Sequence, residues 1–307
     1  MQQNEPLVSV IMPCYKHEDY VTRAIESVVL QCHKRIEIII VDDHSPDRTY
    51  ENATRALAAH KHRFVRVVAV RNAANMGAHF SLNRGMDLAH GEILSFINSD
   101  DLYLPRRITM SVDALRSQSA GMVFSLVQPI DTRDSPTADE TLCHAIRWRP
   151  LVASDRLPSL SWGFLWRQLT ASTGNIVMHS ALARRVGYFT PLLYCHDWDY
   201  LLRATFYTEP ILLEEVLYGY RLHGENSFRS LSSVAEHDTR YVIQGHFRRV
   251  GTQVPENHLA AAPQNWPLVF DALVDDLGYR AHYDELYRPY ATYHRTVDSV
   301  HRQPFGD

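Results

Sequence analysis

The chain has 307 residues, of which 45% are hydrophobic and 21% charged, the balance of a soluble globular protein with one large α/β domain or one domain and an extension. Thirty-one basic residues against 35 acidic ones give a formal charge of −4, which excludes the basic excess of a protein whose main partner is nucleic acid. Cys14, Cys32, Cys143 and Cys195 are scattered without C-x-x-C spacing, which argues against a zinc site or a disulfide framework and for reduced thiols. No run approaches 18 consecutive apolar residues, so no transmembrane helix is predicted. The opening MQQNEPLVSV has neither the basic nor the long apolar region of a signal peptide.

Residues 7–13, LVSVIMP, are apolar and β-branched and predict a strand that stops at Pro13. YVTRAIESVVLQ (20–31) sets Val21, Ala24, Ile25, Val28 and Val29 on one helical face. IEIIIVDD (36–43) is a second strand, and the helix that follows has Asp47 near its start. FVRVVAV (64–70) is a third strand, and residues 78–90 read as a helix ending near Gly91. EILSFIN is a fourth strand, a helix opens after Pro105, and GMVFSLV is a fifth strand. Strands alternating with helices imply βαβ units and a parallel sheet, which binds ligands beyond the carboxyl ends of its strands. The polar residues gather there, as Pro13-Cys14-Tyr15, Asp42-Asp43 and Asn98-Ser99-Asp100-Asp101, three strand ends that would meet in one crevice.

Residues 131–170 change character, polar and turn-rich at first and then carrying Trp148, Trp162 and Trp166. Their aromatic faces suit sugar rings, lipid tails or the core. STGNIVMHSALARRVGYF predicts a strand and a short helix, HDWDYLLRATFY a helix starting near His196, and ILLEEVLYGYRLH a strand. From about residue 234 the pattern is helical, interrupted at 254–267. Trp266, Phe270, Leu273, Leu277 and Tyr279 fall at helical spacing, fit to pack on the preceding domain, to form a dimer interface or to hold a ligand.

The adjacent carboxylates Asp100 and Asp101 have two readings. One is a solvated turn that caps the next helix. The other is a site for a hard divalent cation that removes their mutual repulsion and bridges them to a phosphate. No G-x-G-x-x-G and no G-x-x-x-x-G-K-[ST] follows the first strand, which argues against dinucleotide-binding and P-loop chemistry.

The ordered segments VSVIMPCYKHEDYVTRAIESVVLQ, IEIIIVDDHSPDRT and NMGAHFSLNRGMDLAHGEILSFINSDDLYLP resemble family 2 of the glycosyltransferases, enzymes of the GT-A fold. The resemblance covers residues 7 to about 108 and resumes at STGNIVMHSALARRVGYF, HDWDYLLR and YGYRLHGENS, to about 228. It implies an α/β, Rossmann-like, mostly parallel central sheet flanked by helices. It places a catalytic domain at residues 1–233 (donor half about 1–130, acceptor half about 131–233), with a helical C-terminal extension at 234–307 that could mediate a homodimer. The implied activity is metal-dependent, inverting transfer from a nucleotide-diphosphate sugar, a UDP-sugar first, to a hydroxyl of a glycan or glycolipid, with Mn²⁺ or Mg²⁺ as cofactor. The implied location is cytoplasmic, with peripheral contact at the inner face of the membrane left open.

The resemblance also implies roles. Pro13, Tyr15 and Asp43 would hold the nucleotide base and ribose, with Asp42 in the same turn, while Asn75 and Asn83 would line the nucleotide side. Asn98, Asp100 and Asp101 match the metal-binding acidic motif, with Asp101 expected as the direct metal ligand and Asp100 and Asn98 as sugar or ribose contacts. Asp197 would be the base that deprotonates the acceptor hydroxyl, and Asp199, two residues on, would be structural. Arg221 would meet phosphate, and His223 metal or phosphate. Three positions depart from the family pattern: Asn98 and His196 replace acids, and Leu82 replaces a common arginine. The departures keep open a catalytically degenerate nucleotide-sugar-binding module. A sugar nucleotidyltransferase is a third reading, disfavoured because PCYKHEDY is not the Gly-rich, basic loop it needs.

Overall fold

A computed structural model describes residues 5–137, 157–224 and 232–286. Cys143 and Trp148 therefore lie outside the described residues. In chain order the elements are β1 (Val8–Cys14), α1 (Val21–Val29), β2 (Ile36–Asp42), α2 (Thr49–Ala59), β3 (Arg66–Arg71), α3 (Ala78–Leu88), β4 (Ile93–Phe96), β5 (Leu102–Tyr103) and α4 (Arg107–Ser117). There follow β6 (Met122–Ile130), α5 (Leu160–Trp166), β7 (Val177–His179), α6 (Ser180–Val186), α7 (His196–Ala204), β8 (Ile211–Arg221), α8 (Ser232–Thr252) and α9 (Phe270–Asp276).

The strands form one sheet in the order β3-β2-β1-β4-β7-β6-β8-β5. From β3 to β4 all neighbours are parallel, as the alternating pattern predicts. Beyond β4 the sheet is mixed: short β7 pairs antiparallel with both β4 and β6, and β8 is parallel to β6 but antiparallel to β5. β5 has no sequence signature because two residues are too few to show a period.

Helices cover both faces of the sheet, so β1 and β2 read as continuous apolar runs rather than alternating ones. Their side chains still alternate between two cores. Val10, Met12, Ile38 and Ile40 face α1, α2 and α4, while Ile11, Ile39 and Val41 face the opposite layer. Gly85 of α3 lets that helix lie against β1, since a Cβ there would overlap the Ile11 side chain.

The second core runs without a break into the C-terminal helices. Phe247 of α8 and Phe270 of α9 are buried with Trp162 of α5, and the Trp162 and Phe270 rings lie 5.4 Å apart. Leu273, Leu277 and Tyr279 pack on the same cluster, so the helical row read from the sequence faces the core. Trp162 is accordingly a core residue and not a ligand platform. Trp166 is less buried; its carbonyl accepts a 3.3 Å hydrogen bond from the Tyr279 hydroxyl. Among the described residues no helix is long and apolar enough to cross a membrane.

His246 in α8 is buried and donates Nε2–H to the Ala261 carbonyl at 2.8 Å. Burial pushes its pKa from the ordinary 6.5 to about 4, so the folded chain keeps this imidazole neutral while the unfolded chain protonates it below 6.5. The unfolded state then binds more protons, and the stability this residue supports is lost as pH falls from 6.5 toward 4. By pH 5 the loss is about 2 kcal/mol. Urea unfolding at pH 7 and pH 5 should show that decrement in the wild type and a flatter response in His246→Gln.

Candidate active site

The carboxyl ends of β1, β2, β4 and β8 converge. At β2, Asp42 is fully buried, accepts a hydrogen bond from the Ser45 amide (3.0 Å) and pairs with Arg71 (3.1 Å). It supports the turn and is not a nucleotide contact. Asp43 anchors the loop after β3: Oδ1 accepts from the Asn72 side chain (2.7 Å) and the Met76 amide (2.9 Å), and Oδ2 from the Gly77 amide (2.8 Å). Pro13 and Tyr15, at the end of β1, are half-buried, and Asn75 is exposed on the loop that Asp43 holds. The Asn83 amide donates to the Phe189 carbonyl (3.0 Å) and accepts from the Phe189 amide (2.8 Å), so it fastens α3 to the 189 loop. Leu82 is buried in the core.

The two acids of the pair have different surroundings. Asp101 Oδ2 accepts from the Tyr218 hydroxyl at 2.6 Å and Oδ1 from the Arg221 amide at 2.8 Å, both partners belonging to β8. Burial, and then the neighbouring charge of Asp100, push its carboxyl well above the usual range. Both Asp101 oxygens are thus engaged by β8, which gives this carboxylate a structural part at the strand end. Asp100 turns the other way. Its Oδ2 lies 2.9 Å from His223 Nε2 and 3.7 Å from His17 Nε2, while its Oδ1 is buried without a hydrogen-bond partner among the described residues. Burial alone would raise Asp100, but His17 and His223 outweigh it and hold the carboxyl below its ordinary value. One ligand atom from each of His17, Asp100 and His223 lies within 4.8 Å of the others.

The Arg221 guanidinium is fully buried and donates to the carbonyls of Asp100 (2.5 Å) and Asp131 (2.7 Å), pairs with Asp134 (2.5 Å), and stacks over Tyr20 at 4.9 Å. A cation so engaged ties β8 to the β4 end and the turn after β6. Asn98 donates its side-chain amide to the Ser172 hydroxyl at 2.8 Å.

Asp197 sits in the first turn of α7. Its Oδ2 accepts from Gln168 Nε2 (2.8 Å) and the Thr173 hydroxyl (3.3 Å), and its Oδ1 from the Trp198 amide (2.8 Å). His196 approaches the same threonine, Nε2 to Oγ1 at 3.5 Å. Asp199 points elsewhere, to Thr190 (2.6 Å) and Arg203 (2.8 Å), as helical geometry anticipates. Two consecutive residues join the halves of the site. Ser172 touches Asn98 and, at 3.4 Å, Asp101, whereas Thr173 touches Asp197. Between them and the sheet, a Cβ on Gly174 would overlap the Tyr218 hydroxyl.

Sequence reasoning missed His17, Gln168, Ser172, Thr173 and Tyr218. His17 lies in the YKHEDY run and was one of 17 histidines; only its place just past a strand end distinguishes it. The others carry no local signal because each acts on an acid far away in the chain.

The sequence profile described as "Glycosyl transferase family 2" matches residues 9–185. An uncharacterised glycosyltransferase of Methanocaldococcus jannaschii is 23% identical over 277 residues, 89% of this chain and 88% of its own. The S. aureus TarS fragment 1–349, solved with UDP-GlcNAc, superposes with a TM-score of 0.66 over 94% of this chain and 92% of its own, at 17% identity. The mannosyltransferase PcManGT of Pyrobaculum calidifontis, solved with GDP-Man and Mn²⁺, gives 0.57 over 95% and 84%, also at 17% identity. The α/β fold is therefore of the GT-A type.

The Tyr218–Asp101 bond is the keystone that this geometry identifies. Tyr218→Phe should lower stability by about 1–3 kcal/mol, the effect of leaving a buried acceptor short of its donor, as measured by urea denaturation.

Proposed function

We propose that this chain, which belongs to glycosyl transferase family 2, transfers a sugar with inversion from a UDP-sugar to a hydroxyl of a glycan or glycolipid, assisted by Mn²⁺ or Mg²⁺. That it is a glycosyltransferase using a nucleotide-sugar donor follows from its family and its relatives. UDP is favoured by the UDP-GlcNAc and UDP complexes of TarS; the GDP-Man complex of PcManGT makes GDP the control. A polymer or lipid-linked acceptor is suggested by relatives named as a chondroitin synthase of Escherichia coli and a putative teichuronic acid biosynthesis glycosyltransferase of Bacillus subtilis.

The observation that carries the reading is the bridge made by Ser172 and Thr173, which places an acid-lined strand end and the Asp197 carboxylate in one constellation. The donor set at the strand end fits a divalent ion: a carboxylate with one oxygen lacking a hydrogen-bond partner among the described residues, and an imidazole nitrogen 2.9 Å from the other. Asp100 and His223 would hold the ion. Bound there, it supplies positive charge that stabilises the departing diphosphate.

Asp197 takes the proton from the acceptor hydroxyl as the oxygen attacks the anomeric carbon. Gln168 and Thr173 fix Oδ2, and the Trp198 amide fixes Oδ1, so the carboxylate is oriented before the acceptor arrives. In this reading Tyr15 and Pro13 would meet the nucleotide base, with Asn75 also on the nucleotide side.

Calorimetric titration of UDP, GDP and dTDP with and without Mn²⁺ tests the donor site. UDP should bind in a metal-dependent way, and Asp100→Ala should weaken it by about tenfold or more. Absence of any nucleotide binding would overturn the proposal. Asp197→Asn should keep UDP affinity while losing about 10²–10⁴-fold in kcat, and transfer at the wild-type rate would remove Asp197 as the base.

A further inference from the structure

We propose that His17 is the third protein ligand of the cation site, and that the resulting set of two imidazoles and one carboxylate selects a transition-metal ion over Mg²⁺. This rests on the reading that a divalent ion is held at Asp100 and His223.

An imidazole beside a carboxylate is ordinarily an ion pair, and one imidazole suffices for that. Here two converge on the same Asp100 oxygen, His223 Nε2 at 2.9 Å and His17 Nε2 at 3.7 Å, while the other oxygen is buried without a hydrogen-bond partner among the described residues. The three come from different places in the chain: the turn between β1 and α1, the end of β4, and the segment just past β8.

The His17 ring is oriented as a ligand needs to be. Its Nδ1 lies 2.8 Å from the hydroxyl of buried Ser99. Donation from Nδ1–H to that oxygen leaves the lone pair on Nε2, the nitrogen facing Asp100. The backbone is fixed as well. The His17 amide donates to Thr49 Oγ1 at 2.8 Å, and its carbonyl accepts from the amides of Tyr20 (3.0 Å) and Val21 (2.9 Å). Tyr20 stacks on His223 at 5.1 Å and meets the His17 ring edge-on at 6.1 Å, so one aromatic wall braces both imidazoles.

The donor atoms decide which ion is preferred. Mg²⁺ is hard, takes oxygen ligands and gives up water reluctantly. Imidazole suits the later first-row ions, whose affinities rise from Mn²⁺ through Co²⁺ to Ni²⁺. A site with two nitrogens and one oxygen therefore ranks Co²⁺ above Mn²⁺ and Mn²⁺ above Mg²⁺.

The test uses the full chain stripped of metal by a chelator, with no sugar donor present. Co²⁺, Mn²⁺ and Mg²⁺ are titrated separately by calorimetry, and visible absorption of bound Co²⁺ reports its ligand field. Wild type should bind Co²⁺ at least about tenfold more tightly than Mg²⁺. His17→Ala should weaken Co²⁺ by about 10–100-fold, alter its spectrum and leave Mg²⁺ nearly unchanged. His223→Ala should weaken every ion. Wild-type Co²⁺ affinity and spectrum in His17→Ala, with the loss confined to His223→Ala, would overturn the inference and leave the metal reading standing. No binding of any ion by the wild type would overturn both. Should His17→Ala lose its cooperative unfolding transition, Ser99→Ala decides: it keeps the imidazole but not its orienting partner. A Co²⁺ affinity about tenfold lower supports the inference, and an unchanged one overturns it.

Discussion

Two adjacent carboxylates are buried at the end of β4, and much of the site follows from how they are kept there. Like charges side by side in a medium of low polarity repel strongly, and each also loses its hydration. The chain resolves this by giving them opposite surroundings. Asp101 sinks between the Tyr218 hydroxyl and the Arg221 amide, two donors that favour its charge, while burial and the neighbouring Asp100 push its carboxyl the other way, well above the usual range. Asp100 faces two imidazoles, where its charge is favoured. The pairing of β8 with β5 and β6 is what makes the division possible, because one strand delivers Tyr218 and Arg221 to Asp101 and leads directly to His223 at Asp100.

The arginines complete this arrangement without touching the reacting region. Arg221 places its guanidinium under Asp100's backbone carbonyl and against Asp134. Arg107, equally buried, lies over the Tyr103 and Tyr218 rings at 4.8 and 5.1 Å and donates to Asn175 and Ser125. Two buried cations thus stand behind the acids, each engaged by oxygen atoms and ring faces. The positive charge that looked in the sequence like a phosphate contact is part of the foundation.

The sheet was legible because its parallel strands are buried on both faces, which leaves apolar runs such as IEIIIV that need no partner to be recognised. The crevice was legible because acids at several strand ends have few other reasons to coincide. What could not be read is direction. Whether Asp100 or Asp101 faces the crevice depends on which way a turn rotates each side chain, and that is set by β8, more than a hundred residues later. Asn83 and Arg221 carried the right chemistry for a ligand, but their partners, Phe189, Asp131 and Asp134, are visible only once the chain is folded. His17 was hidden for the opposite reason: its neighbours in sequence say nothing, and its importance appears only when Asp100 and His223 are placed beside it.

The acceptor side shows the same dependence on distant contacts. Asp238 of α8 accepts hydrogen bonds from the amides of Tyr194 (2.8 Å) and Cys195 (3.2 Å), immediately ahead of the helix that carries Asp197. Buried Asn257, beyond α8, reaches the Ser161 hydroxyl (3.1 Å) and the Glu209 carboxylate (3.1 Å), binding the start of α5 to the turn after α7. Gln168, which orients Asp197, lies just past the end of α5. The C-terminal helices therefore hold the segments around Asp197 from behind. A sequence change in α8 that displaced Asp238 would move the start of α7 and with it the carboxylate, without altering any residue in the crevice. Position of the Asp197 carboxylate and packing of the C-terminal helices are one structural problem, and the extension, outside the family's matched region, shares an uninterrupted core with it.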